Sequence, residues 1–258
     1  MGTIWKAVRS AVLAACLGTG GAAVAAPHEI NVFSDEMEEP GEIGLDMHVN
    51  YARGRVTPDF ASEIPPDKAL RLMPEVVFGL RKDWEVGLHL PMQRDRDGGF
   101  HADGFRIRLK HMFPKAKATA FFSGVNIEYG HDRPHLSADR HNFELRGILG
   151  WRTDHWLVAV NPILSWVLSG ENKSSRPDFD ASLKIARELR PGLAFGIEYY
   201  SGFGALANFA PRNEQDRMLY FAVDYEGKGW GINFGIGTGL TPASDDRVIK
   251  SVISIPFK

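Results

Sequence analysis

Arg106, Arg108 and Lys110 recur at a two-residue spacing and form the most compact run of side chains in this chain that could do chemistry. On an extended backbone that spacing puts all three on one face, where a basic ladder attracts anions. Glu85 and Glu128, on the two neighbouring segments, could equally neutralise it. Histidine is the second source of chemistry. His101 with Asp103 lies in one polar loop, and His131, Asp132, His135, Asp139 and His141 lie in the next. Imidazole with carboxylate suits zinc or copper. No fixed ligand spacing such as H-E-x-x-H is present, so two solvated loops are the plainer reading and no metal site or cofactor is assigned. Ser137 neighbours His135 and His141 but lacks a G-x-S-x-G frame. No catalytic residue and no enzymatic activity are expected.

The composition bounds what can position these groups. The 258 residues are 44% hydrophobic, 24% charged and 11% aromatic, with 27 Gly, 15 Pro and a single Cys. Such a chain is neither disordered nor a disulfide scaffold. The formal net charge of -2, without a Lys/Arg run, leaves no footprint for nucleic acid. Residues 1–25 read as a cleaved secretory signal: Lys6 and Arg9 precede an apolar, small-residue stretch that ends in Ala23-Val24-Ala25. A rival cut before Cys16, after Leu13-Ala14-Ala15, follows an apolar run that is short for a signal. Cleavage near Ala25 leaves 28 basic against 32 acidic residues, a net of -4. Residues 26–42, with Asp35, Glu36, Glu38, Glu39 and Glu42, are expected to be an acidic, solvated periplasmic lead-in, a lumen plug being the sharper alternative.

From Ile43 to the last residues, period-two alternation recurs and no sustained 3.6-residue pattern appears. Twelve strands are predicted, at about 43–54, 70–81, 84–94, 104–113, 117–130, 142–152, 155–168, 179–190, 193–204, 217–226, 230–241 and 247–257. Long polar loops alternate with tight turns such as Lys82-Asp83 and Pro191-Gly192, as in outer-membrane barrels. One face of each strand is nearly free of charge, for example Phe195, Ile197 and Tyr199, or Phe221, Val223 and Tyr225. The other face carries Asp46 and His48, Glu75, Glu85 and His89, the basic ladder with Glu128, then Glu144 and Arg146, Lys184, Glu198, Asp224 and Lys250. These are the candidate pore-lining residues. A soluble barrel could wear that charge outside, so alternation alone does not say which way the sheet faces. Tryptophan does: Trp84, Trp151, Trp156 and Trp230 lie within two residues of short turns, with Trp166 near the other rim, all on the apolar face. A bilayer places aromatic rings in such girdles.

Ile249, Ile253, Ile255 and Phe257 alternate to the end of the last strand, which resembles the C-terminal signature read by the barrel-assembly machinery. Three further segments carry a family resemblance: Leu72-Met73-Pro74-Glu75-Val76-Val77-Phe78-Gly79-Leu80 followed by Trp84-Glu85-Val86-Gly87-Leu88-His89-Leu90-Pro91, then Asn161-Pro162-Ile163-Leu164, and Glu198-Tyr199-Tyr200-Ser201-Gly202-Phe203-Gly204. They resemble the outer-membrane barrels labelled MetA-pathway phenol degradation proteins or transporters. The resemblance implies an outer-membrane barrel moving small molecules, aromatic ones included, and supplies no catalytic residues.

The fold expected is therefore all-β: a transmembrane, antiparallel, up-and-down barrel of about twelve strands over 43–258, in the outer membrane of a Gram-negative bacterium. Its expected partners are membrane lipid, the assembly machinery and a small solute. Eight strands fill their lumen and sixteen leave an aqueous channel, so about twelve leave a narrow passage at most. The functional expectation is a narrow passive channel or transporter. The alternative is a non-conducting barrel, its lumen sealed by ion pairs, that displays outer loops to a metal or partner. Gly231, Gly235, Gly237 and Gly239 on one wall favour an open lumen, and the near balance of inward charge favours a filled one.

Overall fold

Alternating β-branched and aromatic residues set strand after strand, and tight turns at one end return the chain each time. The computed structural model describes residues 28–54, 61–115, 120–170 and 172–257. The signal-peptide expectation lies outside these residues. The strands are β1 (Ile43–Arg53), β2 (Leu70–Arg81), β3 (Trp84–His89), β4 (Met92–Arg94), β5 (Phe100–Ala102), β6 (Gly104–Met112), β7 (Phe121–Asp132), β8 (Asp139–Arg152), β9 (Trp156–Gly170), β10 (Asp178–Arg190), β11 (Leu193–Ala205), β12 (Arg217–Gly227), β13 (Trp230–Gly239) and β14 (Arg247–Phe257). All pairings are antiparallel, between consecutive segments except β2–β4, β3–β6 and the closing pair, and β1 pairs with both β2 and β14, from Ile43↔Phe257 to Arg53↔Arg247, so the sheet closes. The result is a closed barrel of twelve strands.

Fourteen segments make twelve staves because two staves are interrupted. Pro91 has no N–H for the ladder, so the third stave breaks between His89 and Met92, and β2 pairs first with β3 and then with β4. The Asp103 N–H bonds to the Pro91 carbonyl at 2.8 Å, where the next stave breaks between β5 and β6. The short-turn rim uses glycine where the backbone must turn left-handed: Gly192 has φ +74° and Gly229 φ +77°.

The sheet faces lipid with its apolar side. Phe121 is 67% exposed, Phe221 55% and Ile236 49%, whereas His89, Glu198 and Lys250 on the opposite parity are fully buried. Water on the outside and apolar groups inside would demand the reverse, so this surface matches a hydrocarbon solvent. Aromatic rings gather at both rims. Trp84 stacks on His111 at 4.2 Å, with Phe113 edge-on to that imidazole, and Trp230 lies 5.3 Å from Tyr225 at the short-turn rim. Phe143 and Trp166 pair at 5.8 Å near the long-loop rim.

One expectation is corrected in part. The acidic residues before β1 stay partly solvated, Glu36 and Glu39 being exposed, but the described lead-in does not lie outside the barrel. From His28 it runs down the inside of the barrel to the short-turn rim, where Gly41 and Glu42 bond to Gly79 and the chain enters β1. Ile30, Val32 and Phe33 are buried in two apolar clusters with inward-facing wall residues such as Val248, Met218, Met112 and Ile148.

Candidate functional site

The lumen and the segment that threads it form the site. Near the long-loop rim, His28 Nε2 lies 2.6 Å from Asp103 Oδ2, and the Asn50 side-chain amide donates to the His28 carbonyl at 2.5 Å. Ile30 packs on Ala52, Met218, Tyr220 and Val248, and its carbonyl accepts from Lys250 Nζ at 3.0 Å. Midway, Phe33 and Asn161 exchange two bonds: the Phe33 N–H donates to Asn161 Oδ1 at 2.7 Å and the Asn161 amide returns to the Phe33 carbonyl at 3.0 Å. The Phe33 ring faces Arg146 at 4.4 Å, Arg108 at 5.3 Å and Lys110 at 5.4 Å. Lower down, Arg152 holds Asp35 and Glu36 at 2.7 Å each, Lys115 pairs with Asp35, and the Glu38 N–H donates to Glu85 Oε2 at 2.9 Å. Ten extended steps reach at most about 35 Å, so residues 28–38 are long enough to cross a bilayer-deep lumen.

The expected pore-lining residues all fall on the inward parity, and ion pairs connect most of them into two networks. In the first, each of three arginines sits between two carboxylates. Arg106 bonds to Glu128 and Asp132 at 3.2 Å each; Arg108 bonds to Glu75 at 2.5 Å and Glu85 at 2.7 Å; Arg146 lies 2.9 Å from Glu144 and 3.7 Å from Glu29. His89 and His48 stand among these carboxylates. In the second, Lys184 lies 2.7 Å from Asp224 and 3.4 Å from Glu198, and Lys250 pairs with Glu198, which also accepts from Tyr200 at 2.7 Å and from Asn233 at 3.1 Å. The basic ladder is thus a set of ion pairs rather than an open wall, with Lys110 donating to the Glu36 carbonyl at 2.5 Å. Buried pairs of this kind hold geometry more than they add stability, because desolvation offsets their attraction.

Open space remains at the short-turn end. A cavity of about 470 Å³ lies beside the segment, lined by Glu38, Asp46, Lys110, Lys184, Asp224 and Gly231 among others. The other glycines of β13 do not open the lumen: a Cβ at Gly235 would meet the Lys250 side chain, and one at Gly237 the Tyr220 ring. They make room for those two side chains.

Of the four histidines expected in loops only His135 lies in one; His101 is on β5, His131 on β7 and His141 on β8, and the four form two pairs. His101 and His135 lie 5.2 Å apart, His101 bonding to Asp95 at 2.9 Å and His135 to Asp103 at 2.6 Å. His131 and His141 lie 4.8 Å apart, with Tyr129 bonding to His141 at 2.7 Å, on the outward parity of β7 and β8. Ser137 accepts from the Asp139 N–H at 3.0 Å. Asp103 is buried between His28 and His135.

Sequence reasoning missed Glu29, Phe33 and Asn161. Period-two alternation marks Asn161 as inward, but nothing local says that a segment 128 residues away in the chain returns to it.

No protein-family model matches the chain, and no curated protein matches it. Solved structures do. An outer membrane channel from Pseudomonas putida F1 superimposes with a TM-score of 0.64 at 13% identity, over 89% of this chain and 100% of that one. The KdgM porin (TM-score 0.58, 9% identity) and the NanC porin (0.56, 12%) each cover 83% of this chain and 99% of their own. At such identities the likeness is one of fold, and the fold of this chain is that of an outer-membrane β-barrel.

Proposed function

We propose that this protein is an outer-membrane channel for small solutes that its own N-terminal segment keeps closed. The observation that carries this reading is the threading of residues 28–38 through the lumen without joining the sheet. Among the described residues, no backbone-to-backbone bond links that segment to the wall until Gly41; wall side chains bonding to its main chain, ion pairs and the Phe33 ring dock it. Such a segment can leave without unzipping a strand, whereas the wall cannot open without losing its ladder. The apolar outer surface and aromatic rims support placement in the outer membrane after signal cleavage, with β14 the strand offered to the assembly machinery. The solved structures of similar fold are a channel and two porins, which agrees with passive conduction. The cavity near the short-turn rim, with lysines facing carboxylates, suits small polar solutes, and the resemblance to phenol-degradation barrels extends the proposal to aromatic ones.

The test compares the mature chain with a variant lacking residues 28–37 in planar bilayers and in liposome swelling. The expected result is small or rare conductance for the full chain and steady, larger conductance with solute entry for the deletion. A deletion variant that inserts correctly and stays silent would overturn the channel reading. The filled outer half of the lumen would then favour the other one, a non-conducting barrel that displays its loops.

A further inference from the structure

Three arginines between six carboxylates leave the first network three negative charges in excess before any histidine is counted. The arrangement of oxygens around His89 is specific. Arg106 takes Oε1 of Glu128, whose Oε2 lies 3.4 Å from His89 Nδ1; Arg108 takes Oε1 of Glu75, whose Oε2 lies 2.9 Å from His89 Nε2. Arg146 faces Oε2 of Glu29, and Glu29 Oε1 is buried without a hydrogen bond. Neither ring nitrogen of the fully buried His89 makes a hydrogen bond of acceptable geometry, and the same holds for the buried His48 beside it. Donor atoms of Glu29, His89 and Glu128 all lie within 4.8 Å of one another.

We propose that Glu29, His89 and Glu128 bind a divalent transition-metal ion of the zinc or cobalt type in the lumen. Imidazole with carboxylates is a donor set for such ions, and tetrahedral coordination at ordinary bond lengths needs donors about 3.4 Å apart. Glu29 can close the difference because it lies on the threading segment and not in a strand. His89 has the geometry of a metal-binding histidine: Nδ1 faces the donor carboxylate of Glu128 while Nε2 faces Glu75, the carboxylate that would fix its tautomer. The arginines hold the outer oxygens and keep the inner ones converging. A divalent ion also removes most of the excess negative charge from a site that water does not screen. Because Glu29 belongs to the segment and the other two donors to the wall, the ion would fasten the segment in place. That consequence rests on the gating reading above, while binding itself does not.

The experiment uses the mature protein in detergent, stripped with chelator and titrated with Co²⁺, whose visible absorption reports coordination, followed by displacement with Zn²⁺. One equivalent of Co²⁺ per chain is expected. Glu29→Gln and His89→Gln should each weaken it at least tenfold, whereas alanine at His101, His131, His135 and His141 together should leave it unchanged. Glu29 lies outside the strands, so heat-modifiable gel mobility should show Glu29→Gln to be correctly assembled even if His89→Gln is not. No saturable signal in the assembled wild type would overturn the proposal and leave His89 as an imidazolium between two carboxylates. A signal insensitive to Glu29→Gln, or lost only with those four histidines, would also overturn it. Since no conductance is read, failure here is separate from failure of the channel reading.

Discussion

Phe33→Ala isolates the docking of the N-terminal segment from the assembly of the barrel. The ring is 6% exposed, packs against Met112, Phe122, Ile148 and Ala159, and faces three cationic side chains, while both bonds to Asn161 are made by the backbone and survive the change. Truncating a buried Phe to Ala costs about 3–5 kcal/mol, and the cation–ring contacts, about 0.5–1 kcal/mol each, are part of that loss. Water can refill the vacated volume in a lumen, so the lower end, about 3 kcal/mol, is the better figure. The loss falls on the docked state alone, because the released segment exposes residue 33 in either form. At about 1.4 kcal/mol per decade, the ratio of released to docked segment should rise roughly 100-fold. Single-channel recordings at matched protein density measure this as the ratio of open to closed dwell time, with Phe33→Leu falling between. Heat-modifiable mobility must be unchanged. A correctly assembled Phe33→Ala protein with the open probability of the wild type would refute the idea that docking of this segment controls the lumen.

Ile197→Arg, on the lipid face at 44% exposure, should cost about 2–4 kcal/mol and lower the assembled fraction on heat-modifiability gels, whereas Ile197→Val should not. Equal tolerance of the two would mean that the sheet faces the other way. Glu198→Gln strips the carboxylate partner from the buried Lys250 and the more distant of two from Lys184, and should destabilise the barrel by about 3–5 kcal/mol in urea unfolding from detergent. A shift under about 1 kcal/mol would show that water reaches both lysines.

The twelve staves and the facing of each residue on them were legible, though bounds such as that of β7 shifted by up to four residues, since alternation such as Phe195-Gly196-Ile197-Glu198-Tyr199 admits only one backbone period and one assignment of faces. The facing of the sheet was legible too, because tryptophans beside turns on the apolar parity make sense only at a membrane interface. Even the neutralisation of the Arg106–Arg108–Lys110 ladder could be anticipated from Glu85 and Glu128 on its flanking strands, which register alone brings opposite. The break at Pro91 was written in the sequence as a missing donor, though its effect of splitting two neighbouring staves was not.

What alternation could not reach was the inside. Whether residues 28–38 lie in solvent or in the lumen depends on contacts between His28 and Asp103, Phe33 and Asn161, and Ile30 and Lys250, separated by 75, 128 and 220 positions in the chain. A strand's period reports only which face a residue shares with its own neighbours. The sequence by itself determined the wall, its orientation and the sign of the charges it presents. Only closure of the barrel brought Glu29 to His89 and Glu128 and enclosed the lumen that the N-terminal segment occupies, because the filling of an enclosed volume is a property of the closed surface and not of any strand.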